Sequence, residues 1–195
     1  MDSFLYKTSL LKNIVLNTSN PASSPWWNKI TKNIIIGGIP LKNQNHELKL
    51  VKNEKVKYIL STINKFEINT DTFFSIPVKT HDWNKLGVTQ KIIETDDYKG
   101  LTFNSLCIGV KFMEKCIDKL EQTDGKIYVH CKAGHGRSVS VVICYLIKKY
   151  NIDYDRAYNF VLKKRPTIKL NDKQKMSIVE FYLNYPCTSF EKIDI

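Results

Sequence analysis

The segment from Ile127 to Val139, IYVHCKAGHGRSV, leaves this chain little choice of local fold. Ile127-Tyr128-Val129 follows the turn signal Asp124-Gly125 and reads as a buried strand, ending at His130-Cys131. Gly134 and Gly136 then permit a tight loop. After Arg137-Ser138 comes the longest nearly unbroken apolar run of the sequence, Val139 to Ile147. That run has the length of a buried helix and falls far short of the ~20 residues of a membrane span. A buried strand that turns at once into a buried helix needs a sheet on one side and helices on the other.

The rest of the chain agrees with one domain of that kind. Its 195 residues suit a single core, and 43% hydrophobic with 25% charged residues exclude a disordered, collagen-like or disulfide-scaffold chain. Strands are expected at Ile34–Ile36, Val56–Leu60, Phe73–Val78 and Ile127–His130. Helices are expected at Glu47–Asn53, Ser138–Lys149, Asp153–Lys164 and Asp172–Leu183. A further helix over Asn104–Leu120 places Leu106, Ile108, Val110, Met113, Ile117 and Leu120 on one face. Asn171 with Gln174 makes a capping box, and Arg165-Pro166 stops the helix before it. The expected fold is α/β, a small central sheet of about four to five strands flanked by helices. Asn20-Pro21-Ala22-Ser23-Ser24-Pro25 reads as a linker. The expected division is therefore a leader of uncertain structure at 1–25, a domain at 26–185 and a tail at 186–195. No repeat or low-complexity tract is present.

The net charge is +11 and is spread over both halves of the chain, so no nucleic-acid arm stands out. Such a field favours anionic partners generally, although most of these residues read as an ordinary solvated surface. Arginine occurs only at 137, 156 and 165; every other basic residue is lysine. Only guanidinium offers a planar fork to two phosphate oxygens, so the exceptions are informative. Lys163-Lys164-Arg165 reads as a solvated helix end. The five cysteines are odd in number and lack C-x-x-C spacing, which suggests neither a disulfide framework nor a zinc site and fits a reducing compartment. Met1–Asn20 is basic and hydroxyl-rich like a transit peptide, but it lacks arginine and carries Asp2.

The loop Cys131-Lys132-Ala133-Gly134-His135-Gly136-Arg137 has the parts that phosphate ester cleavage needs. Its backbone N–H groups can curl inward around phosphate oxygens, and the helix starting near Arg137 adds its partly positive end. The same donors lower the Cys131 thiol pKa and favour the nucleophilic thiolate. Arg137 can clamp two oxygens. A Walker A loop is absent.

His130 to Ser138 match H-C-x-x-G-x-x-R-[ST], and here the chain resembles the cysteine-dependent phosphatases, its short length resembling the dual-specificity group. Further segments resemble the mitochondrial-type phosphatidylglycerophosphate phosphatases: Trp27-Asn28-Lys29-Ile30, Gly37-Gly38-Ile39-Pro40-Leu41, Trp83…Leu86-Gly87-Val88 and Tyr128 to Gly134. The likeness runs from about Trp26 to Tyr182. It implies that Cys131 forms a phosphocysteine, Arg137 binds the phosphate, Ser138 helps the thiolate leave, and His130 holds the cysteine backbone. It implies no cofactor and no metal.

The resemblance also implies a general acid on a loop some 30 residues before the cysteine. Asp96 and Asp97 are the candidates, and the family's Thr-x-Asp pattern favours Asp97; Asp82 lies too early. Lysine follows the cysteine in relatives that act on acidic lipids, so Lys132 stands either as a second cation for the substrate or as a solvent-facing lysine. The expected enzyme is a phosphomonoesterase acting on phosphotyrosine or phosphoserine protein, or on an acidic phospholipid. An RNA 5′-phosphatase with the same loop and a silent phosphate-binding module are the alternatives. No stable nucleic-acid binding is expected, since no aromatic-and-basic platform is visible. A transient contact with a membrane surface stays open, as does a cytoplasmic or, by resemblance, a mitochondrial location.

Overall fold

The computed structural model describes residues 3–19 and 24–185. Five strands form one sheet in the order β1-β2-β5-β3-β4: β1 Trp27–Lys29, β2 Ile34–Gly37, β3 Val56–Ser61, β4 Thr89–Ile92 and β5 Lys126–His130. β1 is antiparallel to β2, and every other pairing is parallel. β5 lies between β2 and β3, so its carboxyl end opens at a switch point of the sheet, where open α/β sheets bind ligands.

The helices are α1 Ser3–Ser19, α2 His46–Leu48 continuing as a π-helical turn Lys49–Asn53, α3 Lys65–Asn69, α4 Thr80–Lys85, α5 Phe103–Leu120, α6 Arg137–Tyr150, α7 Tyr154–Lys164 and α8 Asp172–Asn184. Side chains alternate across the central strands. Ile34, Ile36, Leu60, Ile127 and Val129 join the core formed with α5, α6, α7 and α8. Ile35, Ile59 and Tyr128 face the other way, onto Leu50, Trp83 and Val88. Both sheet faces are covered, which explains why these strands read as continuous apolar runs. Among the described residues no helix is long and apolar enough to cross a membrane.

Several expectations need correction. Phe73–Val78 is not a strand; it makes only the isolated bridges Leu41↔Pro77 and Thr72↔Ser75. Phe73, Phe74 and Ile76 of this run point to solvent, while Ser75, Pro77 and Val78 are buried without joining the sheet. β1 and β4 were missed because they are short sheet edges with half-exposed, polar residues. Ile108 leaves the inner face of α5, 40% exposed, two positions past Leu106 and so on the opposite side of the helix. The leader before Trp26 holds α1, whose Leu10 is buried with Ile39, Leu41, Ile63, Ile68 and Cys131. Residues 186–195, the expected tail, lie outside the described residues.

Candidate active site

The loop from Cys131 to Arg137 leaves β5 and enters α6, at the switch point of the sheet. Cys131 is buried at its base. Gly134 N–H donates to the Cys131 Sγ at 3.2 Å, and the Ser138 hydroxyl donates at 3.4 Å. Burial alone would raise the Cys131 pKa, but the charge of Arg137 and these hydrogen bonds bring it below the ordinary thiol value. Gly134 has φ +70°, and a Cβ there would meet the Gly37 carbonyl at 2.4 Å. Gly136, with φ −132°, lies outside the left-handed region. A Cβ there would press within 2.6 Å of the Gln174 amide, which the capping box with Asn171 holds in place.

His130 faces away from the cleft. Its Nδ1 pairs with the Cys131 carbonyl at 3.1 Å, and its Nε2 with Ser61 Oγ at 2.7 Å. The carbonyl can only accept, so Nδ1 carries the proton and Nε2 accepts from Ser61. Gln90 donates to Ser61 in turn. Burial, with the Arg137 charge, lowers the His130 pKa to about 4, which keeps the ring neutral. The ring anchors the loop's first peptide, as expected.

Arg137 is almost fully buried. Its Nη1 and Nη2 donate to the two oxygens of Glu67 at 2.6 and 2.8 Å, and Nη1 also donates to the Thr95 carbonyl. Asp97 sits 3.1 Å from Nη2. Burial works against the charge, but Glu67, Cys131 and Asp97 together hold the Arg137 pKa above its ordinary value. With Glu67 on the Nη1–Nη2 edge, the Nε–Nη2 edge is the one that can face a phosphate, and Asp97 now lies on it.

The two candidate aspartates part company. Asp97 is nearly buried in the cleft and forms ion pairs with Lys132 and Arg137. Asp96 is exposed and pairs with Lys99 at 3.0 Å, outside the cleft lining. Lys132 is 5% exposed, not a solvent-facing lysine; it also donates to Ser9 of α1 at 2.9 Å and lies 5.5 Å from the Tyr98 ring centre. The half-buried His135 lines the same cleft, with its pKa lowered to about 4 by burial and by Arg165. The cleft holds about 540 Å³ and its walls include Ser9, Lys12, Leu16, Tyr98 and Lys169.

Sequence reasoning missed two further groups. Glu67 was not singled out in the sequence, and no helix was expected around it. It is fully buried, placed by the capping box of α3 with Asn64. Arg165 was read as part of a solvated helix end. It is buried behind the loop, where Nε donates to the Gly134 carbonyl at 2.9 Å and Nη2 to that of Ala133 at 3.1 Å. Its Nη1 donates to Asn28 Oδ1 at 2.6 Å. The scarcity of arginine was a signal for both buried sites, at 137 and 165; Arg156 is exposed.

Residues 39–184 match the family described as dual specificity phosphatase, catalytic domain. The chain belongs to that family. This dual-specificity phosphatase is 32% identical over 163 residues to phosphatidylglycerophosphatase and protein-tyrosine phosphatase 1 of Mus musculus, covering 83% of this chain and 79% of the mouse protein. It is 27% identical to phosphatidylglycerophosphate phosphatase PTPMT1 of Arabidopsis thaliana over 91% of this chain and 48% of the plant protein, so it spans about half of that relative. The crystal structure of PTPMT1 in complex with PI(5)P shares 30% identity and a TM-score of 0.70, over 81% of this chain and 95% of that one. The family membership makes the chain a cysteine-dependent phosphatase, a hydrolase of phosphate monoesters, with the expected fold.

Proposed function

We propose that this phosphatase removes the terminal phosphate of an acidic phospholipid of the phosphatidylglycerophosphate kind. The observation that carries this reading is Lys132, a second cation buried in the cleft directly after Cys131. A lipid phosphomonoester that also carries a phosphodiester gives such a cation a second anion to meet. The names of the mouse and plant relatives support it.

In this reading Cys131 Sγ attacks phosphorus while the loop N–H groups and Arg137 hold the phosphate oxygens. The phosphate takes the Nε–Nη2 edge of Arg137 and displaces Asp97 from it. Freed from Arg137, the carboxylate takes up a proton from solvent as the anionic substrate binds, faces the leaving oxygen and gives that proton to it. Asp97 next takes a proton from the attacking water, and Ser138 Oγ–H stabilises the departing thiolate. Neither half-reaction calls for a metal or a cofactor. A thiolate nucleophile needs a reducing compartment, and the mitochondrion is the one that the lipid reading favours.

A phosphotyrosine protein is the second reading, favoured by the double name of the mouse relative. Turnover of phosphatidylglycerophosphate, a phosphotyrosine peptide and 5′-triphosphorylated RNA, measured side by side, separates the readings. The lipid should give the highest kcat/KM and the RNA negligible turnover. A phosphopeptide preferred over the lipid would reject the first reading.

A further inference from the structure

Resting on the lipid reading, we propose that the catalytic end of this molecule docks on the surface of an anionic phospholipid bilayer, with the outer stripe of α1 and the Phe73-Phe74 tip entering the headgroup layer.

The first observation is the arrangement of α1. Leu10 is core, Ser9 and Asn13 face the cleft, and Lys12 and Leu16 stand at its rim. Beyond the rim Leu11 and Val15, four residues apart and so on one stripe, point to solvent; Val15 is 52% exposed. Leu16 both lines the cleft and is exposed, so the apolar stripe runs into the catalytic cleft without a break. A soluble helix that merely packs on a domain would turn such residues inward.

The second observation is independent of α1. Phe73, 92% exposed, and Phe74 form an edge-to-face pair at the tip of the Thr72–Ser75 turn. The tip follows α3, and Pro77 beyond it bridges Leu41, which belongs to the same buried cluster as Leu10 of α1 and Cys131. Tip and helix thus rest on one buried cluster, which also holds Cys131 at the base of the cleft. Aromatic side chains with apolar bodies suit a membrane interface, and two of them at a turn tip serve no core.

Charge selects the occupant. Residues 3–19 carry no acid, and Lys7 and Lys12 are exposed on α1, with Lys169 across the cleft. Among the described residues none of the three forms an ion pair, whereas the nearby acids Asp71, Glu94 and Asp96 are each matched by a lysine. Apolar side chains interleaved with unmatched lysines complement anionic headgroups. A peptide-binding groove would instead present a walled apolar trough.

The test is sedimentation of the full chain with vesicles, comparing phosphatidylcholine alone with equal parts phosphatidylcholine and phosphatidylglycerol. The protein should bind the anionic vesicles and release on addition of salt. The double variant Phe73→Ser, Phe74→Ser should bind them at least ~10-fold more weakly, and Val15→Ser more weakly by a smaller factor. Both variants should hydrolyse a soluble aryl phosphate at the parent rate, which shows that they fold. Absence of vesicle binding by the parent, or equal binding by the variants, overturns the proposal. So does a variant that loses turnover of a phosphotyrosine protein while still binding vesicles, since the face would then dock proteins. A short-chain, monomeric phosphatidylglycerophosphate keeps the two readings apart: its hydrolysis without vesicle binding defeats the docking surface alone, and vesicle binding without its hydrolysis defeats the substrate.

Discussion

The front and the back of the phosphate loop are each held by a buried arginine, under opposite electrostatic conditions. Arg137, at the front, is matched by Glu67 and Asp97 and keeps one guanidinium edge turned towards the cleft. Arg165, at the back, has carbonyls and the Asn28 amide oxygen as partners and, among the described residues, no carboxylate. Burial lowers its pKa, partly offset by Tyr128 and Cys131. A buried charge without a counter-charge is costly unless its hydrogen bonds are good and an anion is near. The carbonyls of Ala133 and Gly134 supply the bonds, and Cys131, once ionised, supplies the anion. Turning those carbonyls backwards points the intervening N–H groups forwards. The difference teaches a division of labour: in the proposed mechanism the front arginine meets the substrate, and the back arginine, bonded to the Ala133 and Gly134 carbonyls, shapes the loop.

This division orders the expected effects of substitution. Arg137→Lys keeps the charge but loses the fork, and kcat should fall at least ~100-fold on every substrate. Turnover within a few-fold of the parent would put Arg137 outside the reaction. Asp97→Asn should cost ~100-fold on an alkyl phosphate, whose alkoxide needs a proton, and far less on an activated aryl phosphate. Asp96→Asn should leave both rates unchanged; the reverse pattern would move the acid to the neighbouring residue. Arg165→Lys should lower kcat about 10-fold, the scale of a slightly misplaced loop. It should also raise the midpoint of Cys131 alkylation against pH, whereas a purely structural role would lower the melting temperature and leave that midpoint alone.

The smallest effect concerns acid. His46 Nδ1 accepts the Leu41 N–H, and His130 Nε2 accepts from Ser61, so both rings must be neutral in the fold. Their pKa values are lowered to about 3 and about 4, chiefly by burial, and that of His135 to about 4. The unfolded chain therefore binds more protons than the folded one below about pH 6.5, and stability must drop as pH falls from there towards 4. Melting temperatures taken across that range should decline steadily; a flat profile would mean that these rings are charged in the fold.

The same contrast explains what the sequence could reveal. The front of the loop was legible, because Cys131, Arg137 and Ser138 lie within one short segment whose residue types have few other uses. The back was not, because Arg165 and Asn28 are far from Cys131 in sequence, and only the sheet order brings β1 and the end of α7 behind the loop. Glu67 was hidden for the same reason. Of the elements, β2, β3, β5 and the helices α5 to α8 announced themselves by continuous or periodic apolar residues, whereas α1 did not. The edge strands β1 and β4 carry no such pattern, and the apolar run Phe73–Val78 mixes exposed Phe73, Phe74 and Ile76 with buried Pro77 and Val78 outside the sheet.

Covalent catalysis by Cys131 is the central step of the proposed mechanism, and the phosphoenzyme can be sought directly. Ser138→Ala should slow release of the thiolate and let the intermediate accumulate on an aryl phosphate. Acid quench during turnover, followed by peptide mass spectrometry, should then find a phosphoryl adduct of about 80 Da on the Cys131 peptide and on no other. Sustained turnover with no adduct at Cys131, or an adduct on a different residue, would contradict the account.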